Sequence, residues 1–156
     1  MPPHRIISEN PETILHMIED GMKKKDHLYV LFLEAGVIES YLANLIIISG
    51  NPKNKLTSRS KKLLDNWSFS NMLALNQIIG NIVGPLYKEL SEFGKDRNDF
   101  AHDMISFDFD QPEVKEKLKK VTNRGLEIFR QISDLYEDKR FALSMRENYE
   151  RDQNER

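Results

Sequence analysis

The chain contains no cysteine, so a disulfide framework and a thiolate metal site are both excluded, and nothing points to an oxidising compartment. Its four histidines, His4, His16, His27 and His102, share none of the spacings that zinc ligands show. Neither a structural metal nor a cofactor is expected. No Gly-x-Gly phosphate loop, metal triad or nucleophile elbow is present, which removes most familiar enzyme classes. Strand-like alternation of useful length and internal repeats are also missing. The opening stretch "MPPHRIISENPET" has no apolar core followed by small residues, so it does not read as a secretory signal. There is no basic excess either: a net charge of −2 argues against holding nucleic acid through the overall field.

What is there fits one domain. At 156 residues, with 39% hydrophobic and 31% charged side chains, the chain is long enough to bury a core and polar enough to stay in water. Its longest apolar run, "LYVLFLEAGVIESYLANLIIIS" over 28–49, approaches the length of a membrane span. Glu34, Glu39 and Asn44 interrupt it, and a carboxylate near the middle of a span costs several kcal/mol. The better reading is a helix buried in protein, with no membrane involved and the cytoplasm as the address. Its apolar residues cover nearly every angle, so it belongs at the centre of the domain.

The remaining patterns are also helical. Asn10, Pro11 and Glu12 form a cap signature before Ile14, Leu15 and Ile18, with Gly21 as the close. Asp26 is the expected N-cap of the apolar helix, and Gly50-Asn51-Pro52 its stop. A short helix is expected around "SKKLLDNW", with Trp67 a core or interface aromatic. Another begins after a serine cap in "SFSNMLALNQIIGNI", with Met72, Leu73, Leu75, Ile78, Ile79 and Ile82 as its stripe. Pro85 opens the next, buried through Leu86, Leu90, Phe93 and Phe100. The segment "MISFDFDQPE" alternates briefly before Asp110 and Pro112 start a last helix with Val114, Leu118, Val121, Leu126, Phe129, Ile132 and Leu135 inside. The expected fold is all-α, a bundle of four or five helices over 1–143, with 144–156 a polar helical end or tail.

One local charge imbalance stands out. No acidic residue occurs between Ser40 and Leu64, whereas Lys53, Lys55, Arg59, Lys61 and Lys62 fall close together. This is either an RNA-facing patch or a solvated loop running into a helix start.

The chemistry-bearing stretch is "KDRNDFAHDM", residues 95–104. On a helix, Asn98 and His102 lie four apart on nearly one face. Arg97 falls between Phe93 and Phe100 on the apolar side, and a guanidinium there needs a partner. That partner is either Glu34 or Glu39, which are themselves in need of a cation or a proton, or a ligand phosphate in a cleft.

"RNDFAH" resembles the Arg-x4-6-His motif of the HEPN superfamily, in which a polar residue, often asparagine, follows the arginine. The stretch from 68 to about 120, containing "LYKELSEFGKDRNDFAHDMISFDFDQPEVKEKL", is similar more narrowly to the mannitol operon repressor family, with its "RN-x-FAH" core, an "SF" segment and an acidic helix start. The resemblance implies a HEPN-like helical bundle. For many such domains it implies metal-independent RNA cleavage in toxin–antitoxin or other defence systems, with two protomers pooling their motifs across a twofold axis. His102 would then serve as base or acid, Arg97 as phosphate clamp and Asn98 as an orienting group, a division of labour suited to a side chain titrating near neutrality beside a permanently charged fork. The acidic flanks Asp96, Asp99 and Asp103 run against a polyanionic substrate.

Three readings follow, of which the motif and the all-helical pattern favour the first. The chain is a homodimeric ribonuclease, or a non-catalytic regulator or interaction module of the repressor type using the same dimer, or the subunit whose motif an antitoxin or other protein grips. No helix-turn-helix with a basic recognition helix is present, which disfavours direct DNA binding by the regulator.

Overall fold

A computed structural model describes residues 10–50, 57–102 and 108–154, with the side chain of Lys61 outside the description. Six helices and no strand occur among the described residues: α1 (Pro11–Lys23), α2 (His27–Gly50), α3 (Ser58–Asp65), α4 (Phe69–Ile78), α5 (Gly84–His102) and α6 (Pro112–Asn154). The class is all-α, with more helices than the four or five expected. Positions 103–107, and with them most of the alternating segment, lie outside the described residues.

The helix starts follow their caps. The Asn10 side chain accepts from Glu12 N–H at 3.0 Å, Asp26 from Tyr29 at 3.2 Å, Thr57 from Ser60 at 3.2 Å and Ser68 from Asn71 at 3.2 Å. Each satisfies an amide that the helix cannot pair internally, worth about 1 kcal/mol. Gly21 does not close α1; it lies buried within that helix, where a Cβ would run into Val30 and Tyr29. The glycine is there to let α1 approach α2 closely.

The apolar helix α2 is the centre, as its all-round hydrophobicity implied, and it packs against α1, α4, α5 and α6. Val30, Leu31, Ile38, Leu42 and Leu45 are fully buried, each contributing about 1.5–3 kcal/mol. By length and composition α2 could cross a membrane, and 56% of its apolar window is buried inside the bundle.

Side-chain pairings give the helix directions. His27 meets Thr122, Glu34 meets Gly125, and Tyr41 meets Phe129 and Tyr136, so α2 and α6 run parallel. Phe100 lies beside Lys117, Asp96 beside Arg124 and Glu89 beside Gln131, so α5 runs antiparallel to α6. The N-termini of α2 and α6 and the C-terminus of α5, with His102, therefore share one end of the bundle. At the other end, Asn76 donates to Leu42 O and Asn81 to Leu45 O, while Ser49 donates to Asn81. Those buried amides tie the α4–α5 turn to α2, and the turn itself needs Gly80 and Gly84 at φ 79° and 61°.

Two stripe assignments change. Ile78, the last residue of α4, is exposed on the side of the helix away from buried Met72, Leu73 and Asn76, and Ile79 is exposed where the chain leaves the helix for the turn; Ile82 is buried. Trp67 sits between α3 and α4, more than a third exposed. The 43 residues of α6 span about 64 Å. Its burial fades after Ile132, and its polar last turns remain helical to Asn154, with i,i+3 and i,i+4 pairs such as Arg140–Glu137 and Arg146–Glu150.

Candidate functional site

Arg97 lies on α5 between Phe93 and Phe100, both fully buried. Its guanidinium donates to Glu39 Oε1 of α2 at 2.8 Å, the two side chains being only 17% and 12% exposed. The ring of Phe69 lies 5.5 Å from the guanidinium carbon, close enough for a cation–π contact. That ring fits because residue 94 is glycine, where a Cβ would come within 2.6 Å of it. Of the two acidic residues in the apolar segment, Glu39 thus takes the cation.

Glu34 takes the proton. Its side chain is wholly buried, neither carboxyl oxygen has a hydrogen-bond partner, and burial pushes its pKa up to about 9. A charged carboxylate in such surroundings would cost far more than a neutral acid. Arg97 Nε likewise has no partner, so the pair satisfies the guanidinium only in part.

Asn98 and His102 behave differently. Both are exposed, one turn apart near the end of α5. Five residues at 100° each place Arg97 and His102 about 140° apart around the helix axis. The arginine of the motif turns inward while its asparagine and histidine turn outward. Asp99 is partly buried, Asp96 pairs with Arg124 at 3.0 Å, and Asp103 lies outside the described residues.

Of the basic stretch, Arg59 and Lys62 are exposed on α3. Lys53, Lys55 and the side chain of Lys61 fall outside the described residues. No described contact brings α3 to Asn98 or His102. Among the described residues no three His, Asp or Glu side chains come together in a way that would hold a metal ion.

His27, which shares no ligand spacing with the other histidines, was given no role by its sequence context. Its Nδ1 lies 3.2 Å from Thr122 Oγ1 at the shared end of α2 and α6, and burial first, then the Lys119 charge, holds its pKa below the ordinary histidine value. The signal was available: "KKKDH" and "KEKLKK" each set lysines beside a helix start. Gly125 and Phe69, which shape the surroundings of Glu34 and Arg97, carried no chemical signal of their own. Comparison with family models, with curated proteins and with solved structures finds no match to this chain.

Proposed function

We propose that this chain is a non-catalytic regulatory or protein-interaction module of the mannitol operon repressor type, a HEPN-like helical bundle that works as a homodimer. The observation that carries the reading is the engagement of Arg97 by Glu39 at 2.8 Å behind the ring of Phe69. A phosphate oxygen reaching that guanidinium has to displace a carboxylate that is itself largely buried, and leaving such a carboxylate without its cation costs several kcal/mol. Arg97 here clamps α5 to α2 and through them holds the bundle in register. Tyr29 and Phe32 are more than 40% exposed, and Gly36 one turn further on has open space beside it. This apolar stripe on the central helix supports a second copy as its cover.

A second reading, the homodimeric metal-independent ribonuclease with an antitoxin-like partner, is favoured by one observation: Asn98 and His102 are exposed together on α5. In that case two copies pool their histidines, one taking the 2′-hydroxyl proton as the oxygen attacks phosphorus and the other protonating the leaving 5′-oxygen.

The deciding experiment incubates the purified protein with labelled mixed-sequence RNA in excess EDTA, beside His102→Ala and Glu39→Gln. The regulatory reading expects a folded dimer that cuts nothing in any of the three. Cleavage by the wild type that leaves 2′,3′-cyclic phosphate ends and is lost in His102→Ala overturns it in favour of the nuclease.

A further inference from the structure

We propose that the cleft between the N-terminal ends of α2 and α6 binds a small organic anion, one that carries an apolar body and a single negatively charged head. The cleft has a volume of about 670 Å³, within the range of small-molecule sites. Leu28, Phe109, Pro112 and Leu118 give it an apolar floor, and Lys25, Lys115 and Lys119 stand around it. A floor of this kind does not hold a bare inorganic ion, and three ammonium groups do not suit a neutral hydrocarbon. Their combination selects a ligand with both characters.

The local charges favour the anion. Asp26 and Glu116 also line the cleft, so three lysines against two carboxylates leave one positive charge in excess with His27 neutral, and the Asp26 carboxylate is held at the cap of α2, accepting from Tyr29 N–H at 3.2 Å. Lys115 reaches Asp110 only at 3.8 Å across an exposed surface, a contact worth little. Lys25 and Lys119 make no ion pair among the described residues. Both ammonium groups are thus available to a bound head group.

His27 gives the site a distinctive response. The Thr122 hydroxyl donates its proton to Lys119 O at 3.0 Å, so its lone pairs face His27 Nδ1 at 3.2 Å, which makes Nδ1 the protonated nitrogen of the neutral ring. Nε2 is then the nitrogen that changes from acceptor to donor when the ring charges. The groups facing the imidazole are Thr122 and Lys119 from α6 and Lys25 and Asp26 from the turn before α2. An anion among these lysines offsets the repulsion that Lys119 and Lys25 exert on the charged ring. By linkage, binding draws a proton onto His27 and tightens as pH falls through its titration range. This inference does not rest on the regulatory reading, although a regulator would have a use for such an effector.

The test is an amide-resolved NMR titration of the full-length protein with three probes: phenyl phosphate, inorganic phosphate and benzyl alcohol. Expected are saturable shifts for phenyl phosphate at 25–28 and 115–119, with an upward move of the His27 titration. Weaker binding of the other two probes follows, because each supplies only half of the ligand. Replacing the exposed Lys25 and Lys119 together by glutamine should weaken phenyl phosphate about tenfold with an unchanged circular dichroism spectrum. The proposal fails if phenyl phosphate gives no saturable shift at these positions, if inorganic phosphate binds as tightly, or if the double variant binds like the wild type.

Discussion

The carboxyl group of Glu34 occupies the space that a Cβ on residue 125 would fill, and the ring of Phe93 closes the same space from α5. Three helices therefore meet at a point where one of them has no side chain. A methyl group at 125 has to push a wholly buried carboxyl or a fully buried ring out of place. Overpacking of this kind costs about 1–3 kcal/mol. Gly125→Ala should lower the urea midpoint accordingly, and Glu34→Ala in the same chain should return part of the loss, because the two substitutions share one volume. An unaltered midpoint in Gly125→Ala would mean that α2 and α6 do not approach so closely.

The same carboxyl sets a pH dependence. In the unfolded chain a glutamate ionises near its ordinary 4.5, whereas burial holds Glu34 protonated up to about 9. Between those values the native state binds one more proton than the unfolded state. Stability contributed by this group is thus complete below about pH 4.5 and is lost as pH rises, at up to about 1.4 kcal/mol per pH unit. Denaturant melts across that window should show the decline. Glu34→Gln should remove this part of it and be the more stable of the two proteins at the alkaline end.

His27 acts in the opposite sense. Its folded-state pKa is lowered, by burial first and then by Lys119, so protonation below the ordinary histidine range favours the unfolded chain. Proton NMR should find the His27 ring titrating below the ordinary value, and Lys119→Gln should move it upward without restoring it fully, since burial remains. No movement in Lys119→Gln would remove the lysine from the vicinity of the ring.

Much of the architecture was legible because the relevant signals are local. Asn10 and Asp26 cap the helices they were assigned to, the serine that caps α4 is Ser68, and Pro85 lies in the first turn of α5. The central place of α2 followed from its all-round apolar surface. What escaped the reading depends on contacts between distant segments. Gly21 looks like a helix stop until Val30 and Tyr29 are seen against it. Ile78 and Ile79 continue the period of α4, but the turn at Gly80 ends that helix before the second of them. The requirement that Arg97 find a partner was legible, and so was the pair of candidates, Glu34 and Glu39. The choice of Glu39 was not, because it depends on the crossing of α2 and α5 and on Phe69 filling the space over Gly94.

Whether Glu39 engages Arg97 is decided by a double-mutant cycle on stability, with Arg97→Gln, Glu39→Gln and the two combined. Each single change should destabilise the fold. The double variant should lose at least about 1 kcal/mol less than the sum, because the second change removes the charge that the first left buried. Additivity within about 0.5 kcal/mol would contradict the engagement, since an arginine not committed to Glu39 is free to meet a phosphate.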